Sequence, residues 1–178
     1  MSANKWVALE EESGKVFVVQ TTADTVKIKG LGVFNPADLL SGKNVGETVV
    51  IGQKILTILT PRLPELYRGM KRRAQTISAK DAGVLITKLG IGPGDVILEA
   101  GLGSGGLSLH LARVLGNSGT LLTIETRDEH AEVGLENLAR AKQCLPEFPN
   151  HHHISGDISD VSMKIADLAG QVDGIILD

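Results

Sequence analysis

The sequence predicts an α/β protein in which a small β-rich module precedes the first half of a doubly wound parallel sheet. Residues 1–61 contain short β-branched runs with alternating polarity. From Ser78 onward, helical patterns alternate with continuous apolar runs, which is typical of a parallel sheet covered on both faces. A glycine-rich loop at 101–106 joins the first of these runs to a helix.

The composition is that of a globular protein. Of the 178 residues, 42% are apolar and 22% are charged. No apolar run approaches the roughly 20 residues that span a bilayer, and the first residues do not have the pattern of a signal peptide. The single cysteine, Cys144, excludes an internal disulfide and fits a reducing compartment. We therefore expect a cytoplasmic protein that does not bind membranes.

Positive charge is concentrated in one short segment. The net charge is −3, yet residues 61–73 have five basic residues and one acidic residue, while residues 74–178 have seven basic and fourteen acidic residues. The sequence thus predicts three parts: a β-rich domain (1–61), a basic connector (62–77) and an α/β domain (78–178).

The elements of the β-rich domain follow from local signals. "KWVALE" and "KVFVVQ" flank a turn with Gly14 and predict a hairpin. Asn35 and Pro36 predict the cap and first residue of a short helix. Three further runs predict strands: "TVKIKG", "ETVVIG" and "KILTILT".

The α/β domain begins with a helix capped by Ser78 and ending at Gly90. The strands that follow are predicted in "DVILEAG", "GTLLTIE", "HHHISGD" and "DGIILD". A helix follows the glycine loop, and a long helix over 127–143 has Ala131, Gly134, Leu135, Leu138 and Ala141 on one face.

The glycine loop fits a nucleoside ligand without phosphate. Gly101-x-Gly103-x-x-Gly106 matches the dinucleotide-binding pattern. However, Glu99 precedes the loop by two residues, and a carboxylate there would oppose a pyrophosphate at the helix N-terminus. S-adenosylmethionine is cationic and has no phosphate, and glycines at 101, 103, 105 and 106 would let the backbone approach it closely.

Two more acidic residues end the next two strands. Glu125 ends the second strand and could accept hydrogen bonds from both ribose hydroxyls of a nucleoside, a feature that NAD and S-adenosylmethionine share. Asp157 follows the third strand and could accept from an adenine amine, although by itself it fits a solvated strand end equally well. With Glu99, these acids at successive strand ends favour a nucleoside site.

These residues carry a family resemblance. "EAGLGSGGL", "TIETRDEH", "SGD" and "IILD", preceded by "MKRRAQTISAKDA", resemble the tRNA (adenine-N1) methyltransferases that modify the T-loop. The glycine loop is diagnostic only of S-adenosylmethionine-dependent methyltransferases with a Rossmann-like fold. The "RRAQ…KDA" segment and the β-rich module narrow the resemblance, which spans almost the whole chain.

The resemblance implies roles for individual residues. It places Ser104, Gly105, Gly106 and Leu107 around the methionine moiety, Glu125 at the ribose, and His130 with Asp157 beside the adenine. It makes Asp178 the catalytic aspartate, which would accept a hydrogen bond from the amine of the target adenine. It also implies a homotetramer.

The basic connector is the predicted tRNA-binding segment. Arg68, Lys71, Arg72 and Arg73 would contact phosphates. Charge counting alone leaves a solvated linker as the alternative. Ser78 stands where the family often has an aromatic residue or histidine that positions the target base, so stacking at this point is in question.

Two other functions remain open from the sequence. "QTISA" also resembles a segment of protein-L-isoaspartate O-methyltransferases, although those enzymes lack the β-rich module. A non-catalytic tRNA-binding subunit is the second alternative. We predict no metal site, because consecutive histidines at 151–153 would point to opposite faces of a strand.

The last predicted strand leads to an expectation about chain length. "GIILD" is apolar and would form an unprotected edge of the sheet, which folded proteins avoid. We therefore expect the 178 residues to belong to a longer chain that completes the sheet.

Overall fold

A computed structural model describes residues 6–161, 166 and 170–177. The chain divides into two compact units, residues 1–70 and residues 71–178. The predicted connector, 62–77, contributes residues to both units. No helix in the described part of the chain combines the length and apolarity needed to cross a bilayer.

The first unit is built on an antiparallel sheet with the strand order β2-β1-β6-β5. Its strands are β1 (Trp6–Glu11), β2 (Val16–Gln20), β3 (Val26–Ile28), β4 (Gly32–Phe34), β5 (Thr48–Ile51) and β6 (Lys54–Leu59), and its helices are α1 (Pro36–Leu39) and α2 (Leu63–Arg68). β3 and β4 form a separate hairpin. The predicted β1–β2 hairpin is confirmed, with Gly14 at φ +81° in its turn.

Alternation along the strands gives this unit its own core. Val7 and Leu9 of β1 point inward with Leu56 and Ile58 of β6, and each is at most 1% exposed. The Asn35 side chain accepts a hydrogen bond from Asp38 N at 3.1 Å and caps α1, as the sequence predicts.

The second unit contains the parallel sheet. Its strands are β7 (Val96–Ala100), β8 (Thr120–Glu125), β9 (Asn150–Ser155) and β10 (Gly174–Leu177). Its helices are α3 (Ala79–Leu89), α4 (Gly106–Leu115), α5 (Asp128–Cys144) and α6 (Ile158–Val161). The strand order β10-β7-β8-β9 reverses direction between β7 and β10, which confirms the predicted doubly wound arrangement.

Apolar side chains pack on both faces of β7 and β8. Ile97, Leu121 and Ile176 pack on one face with residues of α3 and α4. Leu98 and Leu122 pack on the other face. Continuous apolar strands are required by this two-sided burial, so the sequence pattern and the fold agree.

The ends of α3 also match the sequence. Ser78 accepts from Asp81 N at 3.2 Å at the start of α3, and Gly90 ends it at φ +68°. On β10, at the edge of the described sheet, Ile175 and Leu177 are 58% and 67% exposed.

Candidate functional site

The glycine loop connects β7 to α4 at the carboxyl edge of the sheet. Gly103 and Gly105 adopt φ values of +54° and +76°, a left-handed conformation that other residues rarely adopt. The loop bends back on itself through a hydrogen bond from Gly105 N to Leu102 O at 2.8 Å. The N–H of Gly103 donates to Glu125 Oε2 at 2.8 Å. The loop is thus tied directly to the end of β8.

Glu125 is held as an ionised group at this edge. Its side chain is 3% exposed and also accepts from Arg127 N at 3.0 Å. Burial acts to raise the pKa of Glu125, but the hydrogen bonds from Gly103 and Arg127 act in the opposite direction and prevail. The pKa of Glu125 therefore lies below its ordinary value of 4.5.

A cavity of about 270 Å³ lies where the parallel strands end. In doubly wound sheets, ligands bind at this carboxyl edge, near the point where the strand order reverses. Three predicted site residues line the cavity: Gly101, Glu125 and Asp157. The other lining residues lie at or just after the ends of the strands and were missed from the sequence: Ala100, Ile124, Thr126, Arg127, Gly156, Ile158 and Leu177.

Asp157 is the second carboxylate of the cavity wall. It is exposed and accepts hydrogen bonds from Ser159 Oγ at 2.6 Å and Ser159 N at 2.9 Å. These bonds hold the pKa of Asp157 below its ordinary value. The cavity therefore has two carboxylates that favour the ionised form.

Glu99 has a different environment. It is 1% exposed and accepts a hydrogen bond from Ser108 Oγ of α4 at 2.6 Å. Of the residues that the structure describes, those lining the cavity do not include Glu99. Its predicted role toward a cationic ligand stays a prediction.

The remaining predicted cofactor residues form the turn into α4 and its surroundings. Leu107 is 4% exposed and belongs to the core between α4 and the sheet, while Gly106 begins α4. His130 lies in the first turn of α5, and within the described part of the chain its buried Nδ1 has no hydrogen-bond partner. The structure does not bring these side chains to the cavity wall.

The hydroxyl of Ser104 faces the connector. It is 1% exposed and accepts from Arg73 N at 3.0 Å and Ala74 N at 2.9 Å. Asn137 of α5, also 1% exposed, hydrogen-bonds with Lys71 and with Ser104 O. Sequence reasoning missed Asn137, although a polar residue on the apolar face of a helix is a usable signal.

The predicted RNA-binding cations of the second unit are exposed. Lys71 pairs with Glu136 at 2.6 Å and Arg73 pairs with Glu129 at 3.6 Å, in both cases with more than half of each side chain exposed. Such exposed pairs are weak and exchange readily for other anions. Arg72 is exposed as well.

Arg68 and Ser78 have partners within their own units. Arg68 belongs to the first unit and pairs with Glu10 and Glu65. Ser78 caps α3 and donates to Asp81 Oδ2 at 2.7 Å. It also lines a second hollow of about 560 Å³ with Gln75, Thr76, Ile77 and Asp81.

Two further predictions concern Asp178 and the histidines. Asp178, the predicted catalytic residue, lies outside the described residues. His151 Nε2 and His153 Nδ1 are both hydrogen-bonded to Thr123 Oγ1, at 2.9 Å and 3.0 Å. Over the described ranges, no three or more His, Cys, Asp or Glu side chains are grouped as a metal site.

A family model described as tRNA methyltransferase complex GCD14 subunit matches residues 54–178. The chain belongs to this family. The match extends from the last strand of the β-rich unit through the whole described sheet of the second unit, so it includes the cavity and the connector.

Curated relatives are tRNA (adenine-N1) methyltransferases. The chain is 34% identical over 123 residues to tRNA (adenine(58)-N(1))-methyltransferase TrmI of Thermus thermophilus, which covers 69% of this chain and 45% of the relative. It is 29% identical over 136 residues to tRNA (adenine(57)-N(1)/adenine(58)-N(1))-methyltransferase TrmI of Methanocaldococcus jannaschii, over 74% of this chain and 45% of the relative. The chain thus spans about half the length of these relatives.

Solved structures confirm the Rossmann-like methyltransferase fold. A SAM-dependent O-methyltransferase from Thermotoga maritima superposes with a TM-score of 0.68 and 27% identity, over 90% of this chain and 58% of that one. The tRNA (m1A58) methyltransferase TrmI from Aquifex aeolicus gives a TM-score of 0.64 at 23% identity, over 90% and 60%, and shows the likeness of fold.

Proposed function

We propose that the protein is an S-adenosylmethionine-dependent methyltransferase that acts on N1 of an adenine in the tRNA T-loop. The hydrogen bond from Gly103 N to Glu125 is the observation that carries the cofactor assignment. A bound pyrophosphate would accept hydrogen bonds from the backbone amides of the loop, but the Glu125 carboxylate already accepts from one of these amides. A phosphate-free, cationic nucleoside suits this site.

The cavity residues fit such a ligand. Glu125 would accept from the ribose hydroxyls, while Gly101 leaves the backbone open to close approach and Asp157 would accept from the adenine amine. His130 would flank the adenine, and the turn at 103–107 would enclose the methionine moiety. When bound, S-adenosylmethionine supplies a methyl group activated by its sulfonium.

The protein's part in the reaction is mainly positioning. Adenine N1 has a free lone pair at neutral pH, so no base is needed to expose it. As N1 gains the methyl group, positive charge spreads to the exocyclic amine. We assign to Asp178 the carboxylate that accepts from this amine, an assignment made on the family resemblance. Glu99 would contribute negative charge beneath the loop.

The exposed cations of the connector support tRNA as substrate. Lys71, Arg72 and Arg73 lie side by side, and the weak pairs of Lys71 and Arg73 with glutamates would exchange for phosphates. Arg68 is the weaker candidate because Glu10 and Glu65 already pair with it. The stacked target base must be flipped out to react, and Ser78 would lie beside it.

The same proposal includes the setting of the enzyme. The family resemblance favours a homotetramer, and the single cysteine, Cys144, favours the reducing cytoplasm. The family membership and the curated relatives favour tRNA over an isoaspartyl protein substrate. The cavity carboxylates favour an active chain over a non-catalytic subunit.

Isothermal titration tests the cofactor assignment. We expect the full chain to bind S-adenosylmethionine and not NAD. Glu125→Ala should weaken binding by about 1.5–3 kcal/mol, because it removes a charged acceptor. Glu132→Ala, which changes an exposed acid on α5, is the control and should bind like the wild type. Heat with NAD alone would refute the assignment.

Salt-dependent tRNA binding tests the connector. Arg72→Glu with Arg73→Glu should weaken tRNA binding, reduce the slope of log affinity against log salt by about 2, and leave cofactor affinity unchanged. Lys88→Glu with Arg113→Glu, at exposed positions on α3 and α4, makes the same change in net charge and is the control. An equal loss in both double variants would show that only net charge matters.

A further inference from the structure

The basic part of the connector is hydrogen-bonded to the glycine loop. We call residues 71–74 the connector segment. Two buried side chains, Asn137 and Ser104, hold its backbone, and both are 1% exposed. Neither side chain lines the cavity, so both contacts lie outside the cavity wall described above.

The Asn137 side chain hydrogen-bonds both backbone groups of Lys71, as a residue of a neighbouring strand would. Its Oδ1 accepts from Lys71 N at 3.1 Å, and its Nδ2 donates to Lys71 O at 2.8 Å. The same Nδ2 donates to Ser104 O in the glycine loop at 2.9 Å. One amide group therefore fixes both the connector segment and the loop to α5.

Ser104 completes the attachment. Its hydroxyl accepts from the N–H groups of Arg73 and Ala74, and the neighbouring Gly103 lies so close that a Cβ there would be 3.5 Å from Ala74 Cβ. The connector segment packs directly on the loop, with no room between them for another layer of side chains.

The attachment continues to the cavity wall. Gly103 N donates to Glu125, and Gly103 is followed in the chain by Ser104. Ser104 in turn is hydrogen-bonded to Asn137 and to the connector segment. A ligand on Glu125 restrains the same backbone that positions Lys71, Arg72 and Arg73.

We propose that Asn137 is a positioning residue that couples the cofactor site to the RNA-binding connector. Each ligand orders the loop and the connector segment together. The first ligand to bind therefore bears the entropic cost of this ordering, and the second ligand binds to segments that are already ordered. Coupling of this kind is reciprocal: the cofactor strengthens tRNA binding by the factor by which tRNA strengthens cofactor binding. This inference rests on the proposed function.

Hydrogen exchange tests the attachment itself, without any ligand. In the full chain without ligand, we expect the amides of Lys71, Arg73 and Ala74 to exchange more slowly than exposed amides but faster than those of the sheet strands, because a ligand still has order to add. Asn137→Ala should speed exchange at these amides about tenfold or more while the strands of the sheet stay protected. Glu132→Ala on the same helix is the control. Unchanged exchange in Asn137→Ala would overturn the proposal.

Titration of S-adenosylhomocysteine, which cannot transfer a methyl group, tests the coupling. We expect tRNA to tighten its binding to the wild type about fivefold or more. Asn137→Asp keeps the size and the acceptor for Lys71 N and Arg140 Nη2, but in place of both donated bonds it sets a carboxylate oxygen against the carbonyl oxygens of Lys71 and Ser104. Whatever its affinity for each ligand alone, this variant should show a tightening of less than about twofold.

The outcomes separate the two proposals. Tightening that survives in Asn137→Asp, or is absent from the wild type although both ligands bind, overturns the coupling and leaves the function standing. A wild type that binds neither ligand overturns the proposed function, and the coupling with it. If Asn137 had a merely structural role, its substitution would lower stability without changing the ratio of the S-adenosylhomocysteine affinities with and without tRNA.

Discussion

Two carboxylates near the glycine loop, both almost fully buried, have contrasting partners. Glu125 accepts hydrogen bonds from the backbone of Gly103 and Arg127 and reaches the cavity wall. Glu99, at the end of β7, accepts from Ser108 beneath the loop. Residues of one chemical type thus line the cavity in one place and bond internally to α4 in the other.

This contrast predicts the effect of Ser108→Ala. The substitution removes a hydroxyl that is 0% exposed and donates to Glu99, so the free energy of unfolding should fall by about 1–3 kcal/mol. Urea denaturation measures the change. In Glu99→Gln with Ser108→Ala, the loss should be smaller than the sum of the single losses, because the residues interact. Additive losses would contradict the interaction.

At the scale of elements, α5 is the support of the loop. Gly134 faces the loop so closely that a Cβ there would lie 2.6 Å from Leu102 Cγ and 2.8 Å from Gly103 O. One turn later, Asn137 hydrogen-bonds the loop. The helix approaches the loop at Gly134, which has no side chain, and hydrogen-bonds it through Asn137.

Gly134→Ala should therefore destabilise the protein. Alanine favours a helix by about 1 kcal/mol over glycine, but the contacts at Gly134 require the loop backbone to move, which costs about 1–3 kcal/mol. Gly83→Ala in α3 is the matched control, since a Cβ there meets nothing within 4 Å. Denaturation should show a loss at Gly134 and a gain of about 0.5–1 kcal/mol at Gly83. A gain at both positions would show that the loop yields freely.

Elements with local signals could be predicted from the sequence. The ends of α3 follow from Ser78 and Gly90, whose capping interactions lie within one turn. β4 was missed because three residues beginning with a glycine give no alternation, and α2 because prolines interrupt its pattern. Short elements of this kind depend on neighbours that are distant in sequence.

The candidate site also has a part that could be predicted from the sequence and a part that could not. Glu125 and Asp157 could be placed together because parallel strands end at one edge. The attachment of the connector segment could not be predicted, since Asn137 lies 66 residues from Lys71 and 33 from Ser104. No sequence pattern around Ser104 or Asn137 indicates which residues they hydrogen-bond.

At the scale of the whole molecule, two half-buried histidines, His151 and His153, should make the free energy of unfolding depend on pH. Burial, assisted by His153, His152 and Lys142, lowers the pKa of His151 from 6.5 to about 4. Burial also lowers the pKa of His153. Both side chains hydrogen-bond Thr123 on one face of the sheet. The folded protein therefore keeps His151 neutral at pH values where the unfolded chain protonates it.

Acid should accordingly destabilise the protein in two steps. A lowered histidine pKa means that the unfolded chain binds more protons, so stability is complete above about pH 6.5 and falls as the pH drops toward about 4. Glu125, whose pKa is also lowered, adds a further loss below its ordinary value of 4.5. Urea denaturation from neutral pH to about 4 measures the first step. His151→Gln should flatten most of it and leave the part that His153 contributes, while His152→Gln, at the exposed neighbour, should reduce the slope less, because it removes only one of the charges that lower the pKa of His151. If His151→Gln kept the wild-type slope, the pH dependence would have to arise elsewhere in the molecule.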